Sequence, residues 1–175
     1  MTAGSAASVV VMGVQGIGKT TIGRLLAERL RVPFIDGDAL HSARSIELMA
    51  SGIPLTDADR EPWLHAVGEA LAAGTATGGV VVACSALRRS YRDLIREHEP
   101  RAYFVEPWGP IELVRDRVGS RTHEYMPPQL LQSQYDALEP LAGDERGVRL
   151  SVLATPQEIV DVVADHQLAQ TGAPQ

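Results

Sequence analysis

The chain has 175 residues, of which 45% are hydrophobic and 22% charged, a composition typical of a globular domain large enough to bury a core. Its formal net charge of −6 argues against the basic surface of a nonspecific nucleic-acid binder, so we expect no nucleic-acid partner. Its single cysteine, Cys84, excludes an intramolecular disulfide framework and argues against a zinc site.

The N-terminal segment lacks the pattern of a targeting signal. Residues 1–8 are small or polar and include no basic residue, and the apolar run that follows is too short for a signal peptide or a membrane span. A lone cysteine also fits a reducing compartment. We therefore expect one cytoplasmic domain over residues 1–175, with no membrane partner and with a frayed tail at about 171–175.

Strand-like and helix-like patterns alternate along the chain. Apolar runs predict strands at 8–12, 33–35, 79–83, 102–105 and 148–153. Helical periodicity and local signals predict helices at 20–31, 39–50, 61–73, 89–98, 110–118, 128–138 and 156–169. This alternation is typical of an α/β fold with a parallel central sheet and right-handed crossovers.

The first predicted strand runs into a phosphate-binding loop. Residues 13–20 read GVQGIGKT and fit the P-loop pattern G-x-x-x-x-G-K-[ST], between a strand and a helix as the motif requires. The glycines let successive N–H groups turn toward phosphate oxygens, and Lys19, the only lysine, is expected to reach the β- and γ-phosphates of ATP. The Thr20 hydroxyl is expected to bind Mg²⁺. The predicted ATP-binding residues are Gly13, Gln15, Gly16, Ile17, Gly18, Lys19, Thr20 and Thr21.

Two carboxylates follow the second predicted strand. Asp36 and Asp38 lie at the carboxyl end of that strand, and this edge of an open α/β sheet is where ligands bind. One carboxylate would hold Mg²⁺ through water, and the other would accept a proton from a substrate hydroxyl. We favour Asp38 for the hydroxyl, which leaves Asp36 as the candidate metal ligand. Asp38 could instead cap a helix that begins at Ala39, and His41 could hydrogen-bond a polyol.

The sequence lacks the motifs that are typical of two classes of nucleotide hydrolase. The run at 79–83 continues directly into Cys84-Ser85-Ala86, so the metal-binding acid that ends this strand in motor-type ATPases is absent. The chain contains no asparagine, which removes the Asn-Lys-x-Asp guanine-binding motif of GTPases.

Arginines near the predicted strand ends indicate a small anionic substrate. Arg60 precedes one predicted helix, and Arg88, Arg89 and Arg92 begin another. A guanidinium group pairs bidentately with carboxylate or phosphate. The aperiodic segment at about 119–128 is predicted to be a small lid, with an ordinary surface loop as the alternative. Arg121 within it is the candidate for stabilising charge on the transferring phosphoryl group.

Five segments carry a family resemblance: residues 12–20 (MGVQGIGKT), 36–41 (DGDALH), 49–64 (MASGIPLTDADREPWL), 84–93 (CSALRRSYRD) and 131–140 (LQSQYDALEP). Together they resemble the gluconate kinases of the small P-loop type, which are relatives of shikimate kinase and the nucleoside monophosphate kinases. The P-loop is common to many families, whereas the middle segments are far more specific.

The resemblance implies a P-loop NTPase fold with a five-stranded parallel sheet flanked by helices. It also implies ATP-dependent phosphorylation of D-gluconate at the 6-hydroxyl with Mg²⁺, and a possible homodimer. By position, Asp38 resembles the hydroxyl-contacting acid, and Arg60 resembles the carboxylate-binding arginine of the shikimate relatives. The substrate residues that it implies are Asp38, His41, Arg60, Ser85 and Arg89.

One departure from the family lies in the predicted lid. The family pattern Arg-x-Gly-His-Phe/Tyr-Met stands here as residues 121–126, RTHEYM, so His123 replaces the glycine and Glu124 replaces the histidine. Two alternatives therefore accompany the gluconate kinase hypothesis. One is a kinase of another small hydroxy acid or of a nucleotide, and the other is an ATP-binding protein without turnover.

Overall fold

The computed structural model describes residues 6–119 and 128–171. Its strands are β1 (Ala7–Val11), β2 (Phe34–Asp36), β3 (Gly79–Ala83), β4 (Tyr103–Trp108) and β5 (Gly147–Ser151). Its α-helices are α1 (Lys19–Leu30), α2 (Ala43–Ala50), α3 (Asp57–Ala76), α4 (Arg89–His98), α5 (Ile111–Gly119), α6 (Pro128–Ala137) and α7 (Pro156–Thr171). A short 3₁₀ helix, Gly37–Leu40, follows β2.

All five strands are parallel and lie in the order β2-β3-β1-β4-β5. Central strand β1 pairs with β3 on one side, where Val9 faces Val81, and with β4 on the other, where Val9 faces Tyr103. The predicted α/β fold with a five-stranded parallel sheet is therefore confirmed. Because the strands are parallel, the P-loop after β1, the acids at β2 and the loop after β3 meet at one edge of the sheet.

The apolar strands are buried because helices cover both faces of the sheet. Alternate residues of β1 point to opposite faces, so Val10 joins a core cluster with Trp63 of α3 while Val9 joins a second cluster with Ile22 of α1 and Ile159 of α7. Burial on both sides explains why these strands read as continuous apolar runs rather than alternating ones. No helix within residues 6–119 and 128–171 is long and apolar enough to cross a membrane.

Two predicted helix boundaries are wrong, and local capping explains both. The predicted helix at 39–50 is interrupted, because the 3₁₀ turn ends before Ser42 and the Ser42 hydroxyl caps α2 by accepting from the Ser45 N–H. Helix α3 begins at Asp57, four residues before the predicted start at 61. A reciprocal capping box between Thr56 and Asp59 sets this start, and Pro62 lies inside the helix.

Candidate functional site

The P-loop has the backbone that its glycines were expected to permit. Gly13, Gly16 and Gly18 have φ values of 131°, 79° and 112°, in the region that side chains disfavour. Gly16 is also sterically required, because a Cβ there would lie 2.4 Å from the Val118 Cγ2 atom. The Lys19 ammonium donates to the Val14 carbonyl at 2.9 Å, which holds the side chain against its own loop.

Helix α6 contacts the P-loop, a link that sequence reasoning missed. The Gln134 side-chain oxygen accepts a hydrogen bond from the Gln15 backbone N–H at 2.7 Å. This N–H belongs to the run of donors predicted to bind phosphate, so ATP would compete with Gln134 for it. The only sequence signal was the segment 131–140 that contributed to the family resemblance.

The two acids of the β2 segment have different surroundings. Asp36 ends β2 opposite Ala83, and its Oδ1 accepts from the Asp38 N–H at 3.0 Å, which caps the 3₁₀ helix. The alternative that Asp38 serves as the cap is therefore wrong, and its exposed carboxylate is available to a ligand. Gly37 between them allows close packing, since a Cβ there would lie 2.6 Å from the Ala83 carbonyl oxygen.

The P-loop lysine and Asp38 act on the same buried group. Burial raises the pKa of the Cys84 thiol to about 12, while Lys19 lowers it and Asp38 raises it further. Cys84, at the end of β3, thus lies within electrostatic range of both charges. A thiol held protonated in this way is a small buried hydrophobe and not a nucleophile.

His41 is stacked on Trp63 beside these acids. The two rings lie 4.3 Å apart between centroids at an interplanar angle of 11°, and the indole N–H of Trp63 donates to the Gly37 carbonyl at 2.7 Å. Partial burial lowers the pKa of His41, Asp38 opposes that shift, and Arg60 adds to it. The imidazole is therefore neutral at pH 7. Its Nδ1 is buried without a hydrogen-bond partner among the residues that the structure describes.

Two arginines flank the ring of Tyr91 near His41. The guanidinium carbon of Arg60 lies 6.0 Å from the ring centroid and that of Arg88 lies 5.8 Å from it. The Tyr91 hydroxyl donates to Asp57 at 2.5 Å, and Arg88 pairs with the same carboxylate at 3.3 Å. Arg60 also donates to the Leu55 carbonyl at 2.5 Å, which fixes its position. The result is a half-buried cationic wall beside the acids.

Other predicted site residues lie elsewhere. The Arg89 guanidinium makes two 2.8 Å hydrogen bonds to Asp144, which raise its pKa, and its backbone N–H donates to Glu139. Arg88 instead faces Tyr91, because it precedes α4 in extended conformation while Arg89 starts the helix and points another way. Ser85 contributes its carbonyl, which accepts from the Gly13 N–H at 3.1 Å. Arg121, His123 and Glu124 lie outside the described residues.

A buried ion pair supports the loop after β3. The Arg92 and Glu145 side chains are 0% and 1% exposed and form two hydrogen bonds of 2.6 and 2.8 Å. Arg92 also donates to the carbonyls of Ala86 and Leu87 at 3.1 and 3.3 Å, and Ala86 has a φ of 38°. Arg92 thus shapes the loop that meets the P-loop and is not available to bind substrate, although the sequence made it a candidate.

Glu145→Gln is expected to lower the free energy of unfolding at pH 7 by about 3–5 kcal/mol, because it leaves the Arg92 charge buried and unpaired. Burial opposes ionisation of Glu145, but hydrogen bonds from Arg92 and Arg96 lower its pKa from 4.5 to about 2. Its contribution is therefore complete above pH 4.5 and is lost as the pH falls toward 2. Urea denaturation between pH 7 and pH 2 measures both effects.

The neighbouring exposed acid gives the matched control for that experiment. Asp144→Asn breaks the solvent-screened pair with Arg89 and is expected to change stability far less. Equal destabilisation by the two variants would contradict the importance assigned to the buried pair.

Comparison with known proteins adds family information to this geometry. A family model described as shikimate kinase matches residues 15–131. The thermosensitive gluconokinase of Escherichia coli K12 is 40% identical over 165 residues, which cover 93% of this chain and 81% of that protein. The gluconokinase of Gluconobacter oxydans 621H is 40% identical over 163 residues, with 93% and 92% of the two chains covered.

Solved structures of gluconokinases and related kinases resemble this chain in fold. A gluconokinase from Sinorhizobium meliloti 1021 superposes with a TM-score of 0.84 at 46% identity, covering 95% of this chain and 93% of that one. An unliganded sugar kinase from Janibacter sp. HTCC2649 superposes with a TM-score of 0.87 at 40% identity, covering 97% and 99%. Shikimate kinase from Aquifex aeolicus, at 15% identity and a TM-score of 0.56, shares the fold.

Proposed function

The chain belongs to the gluconokinase family of P-loop kinases, and from this membership we propose that it transfers the γ-phosphate of ATP to the 6-hydroxyl of D-gluconate. The observation within the molecule that carries this proposal is the topology of the sheet. Because β1 and β2 both pair in parallel with β3, Lys19 after β1 and the exposed Asp38 after β2 lie at the same edge of the sheet.

The proposed chemistry is in-line phosphoryl transfer. Asp38 hydrogen-bonds the attacking hydroxyl and accepts its proton as the new P–O bond forms. The Lys19 ammonium and N–H groups of the P-loop stabilise the negative charge on the transferring phosphoryl group and on the ADP leaving group. The loop already has positive φ values at Gly13, Gly16 and Gly18, and the Gln15 N–H exchanges Gln134 for a phosphate oxygen when ATP binds.

The acceptor site is suited to a hydroxylated carboxylate. Arg60 is proposed to bind the gluconate carboxylate, while Arg88 on the same Tyr91 ring is paired with Asp57. Neutral His41 is proposed to hydrogen-bond a substrate hydroxyl, which requires a small turn of the ring because its Nδ1 is buried in the structure. The backbone of Ser85 supports the P-loop. Arg89 could bind the substrate only if its hydrogen bonds to Asp144 were broken, so we assign it a smaller part in substrate binding.

The donor set fits Mg²⁺ bound together with nucleotide. Thr20 is exposed in the first turn of α1, and Asp36 uses one carboxylate oxygen as a cap and retains the other. Among the described residues there is no group of three or more acidic, His or Cys side chains that would hold a metal alone. Mg²⁺ usually takes one or two protein ligands and completes its shell with phosphate oxygens and water. The ion would neutralise charge on the phosphates.

The remaining expectations stay predictions. They are a single kinase domain over residues 1–175, a lid at about 119–128 in which Arg121 stabilises the transferring phosphoryl group, a homodimer, and a cytoplasmic location. The free buried Cys84 supports the last of these, since it fits a reducing compartment.

Arg60→Lys is expected to raise the KM for gluconate about tenfold or more while changing kcat little. A lysine keeps the charge but loses the bidentate fork that matches a carboxylate. Steady-state kinetics with varied gluconate measure the change, and the KM for ATP should stay within about twofold of the parent value.

The exposed Arg44 of α2 supplies the matched control for charge. Arg44→Lys should leave both constants unchanged. If Arg60→Lys lowers kcat and leaves the KM for gluconate as it was, Arg60 is not the carboxylate-binding residue.

The substrate itself is tested by ADP release with a panel of acceptors at fixed ATP. Gluconate should give the highest kcat/KM, ahead of shikimate and of nucleoside monophosphates. Turnover on shikimate or on a nucleoside monophosphate, without stimulation by gluconate, would favour a kinase of another small hydroxy acid or of a nucleotide. ATP binding without turnover on any acceptor would favour the non-catalytic one.

A further inference from the structure

A cavity lies at the edge of the sheet opposite the P-loop. Its volume is about 150 Å³, and its walls come from the amino ends of β1, β3, β4 and β5 and from the last turns of α1 and α7. Because β1 is five residues long, this edge is roughly 17 Å from its carboxyl end. The cavity is therefore separate from the proposed kinase site.

Two arginines stand at the cavity. Arg101 and Arg146 both line it, from the segments before β4 and β5. Arg101 has one carboxylate neighbour, Glu99, at 3.6 Å. Arg146 donates to the neutral side chain of Gln170 and has no carboxylate partner among the described residues. Two guanidinium groups thus face one acid at this place, which leaves an unneutralised positive charge.

A buried amide adds a donor to the same wall. Gln167 of α7 lines the cavity and is only 8% exposed. Its amide nitrogen has no hydrogen-bond partner in the part of the chain that the structure describes. A buried donor without an acceptor costs stability, and most buried polar groups in proteins are satisfied. An acceptor supplied by a ligand would remove this cost.

We propose that this cavity binds a small oxyanion, namely phosphate or the phosphate group of a small metabolite. Arg101 and Arg146 supply the charge-assisted hydrogen bonds, and the buried Gln167 amide turns toward the cavity to donate a third. The volume suits this class of ligand, because drug-sized and nucleotide-sized ligands occupy pockets of about 300–1,000 Å³. The binding does not depend on the proposed kinase activity.

The test uses the full chain saturated with Mg²⁺ and a non-hydrolysable ATP analogue, whose γ-phosphoryl group fills the P-loop so that phosphate cannot bind there. Inorganic phosphate is added at constant ionic strength while backbone amide NMR signals are recorded. Saturable shifts are expected at Ser8, Gly78, Arg101 and Arg146, which line the cavity, and not at Asp38. A linear response up to the highest phosphate concentration, or shifts spread evenly over the surface, would overturn the proposal.

Variants that remove one positive charge distinguish phosphate binding at the cavity from nonspecific electrostatic attraction of phosphate to the surface. Arg146→Gln should weaken phosphate binding about tenfold or more. Arg29→Gln removes the same charge from an exposed position in the last turn of α1 that does not line the cavity, and it should leave the affinity within about twofold. Equal weakening by both variants overturns the proposal.

Gln167→Leu distinguishes a binding role from a structural one. Because the leucine removes a buried unsatisfied donor, the melting temperature without phosphate should rise or stay unchanged, while phosphate affinity falls. A fall in melting temperature with unchanged affinity would show that Gln167 serves only packing and would overturn its assigned role. Titration with phosphoglycolate identifies the source of the anion, since tighter binding than phosphate indicates a phosphorylated metabolite and equal binding indicates free phosphate.

Discussion

Replacing Lys19 with alanine is expected to lower kcat for gluconate phosphorylation by at least about 10²-fold, with the fold intact. The ammonium is half-buried at the start of α1 and is held within its own loop by the Val14 carbonyl at 2.9 Å. Removing it deletes a preorganised positive charge at the position where the γ-phosphate gains negative charge.

Steady-state ADP release and thermal unfolding together measure this effect. The melting temperature should change by no more than a few degrees, which separates lost chemistry from lost structure. Lys19→Arg should also be strongly impaired, because a planar guanidinium does not replace a compact ammonium inside the loop. Retention of more than about a tenth of the parent kcat by Lys19→Ala would contradict the assigned role.

Asp38→Asn is expected to lower kcat by about 10²–10⁴-fold, because the amide cannot accept the hydroxyl proton. ATP affinity should be almost unchanged, since Asp38 lies on the 3₁₀ turn after β2 and outside the P-loop. The side chain is exposed, so the isosteric change should cost little stability. Turnover at saturating ATP and gluconate, with a separate measurement of ATP binding, checks both statements.

Asp36→Asn is the matched control, two residues away. Asparagine caps a helix as well as aspartate does, so the 3₁₀ turn should survive. If Asp36 holds Mg²⁺, this variant should need a higher Mg²⁺ concentration yet recover much of its kcat when the ion is abundant. Recovery of Asp38→Asn by extra Mg²⁺, with no such response from Asp36→Asn, would reverse the two assignments.

Much of this molecule follows from local patterns in the sequence. Continuous β-branched runs predicted strands that are buried on both faces, and their alternation with helical periodicity predicted a parallel α/β sheet. The P-loop could be recognised from the sequence because its glycine spacing and its lysine form a motif of only eight residues. The positions of Asp38 and His41 just after β2 could also be predicted to lie near this edge, whereas the roles of Asp38, His41 and Arg60 in substrate binding stay predictions.

The tertiary structure decided what each arginine does. Arg88 and Arg89 are adjacent in sequence, yet one faces Tyr91 and the other pairs with Asp144, 55 residues away. Arg92 is buried only because Glu145, 53 residues away, neutralises it. The contact between Gln15 and Gln134 spans 119 residues. Periodicity and motif spacing describe neighbours along the chain, whereas the partner of a charge or donor is set by which segments pack together. For that reason the kinase edge of the sheet was predictable and the cavity at the opposite edge was not.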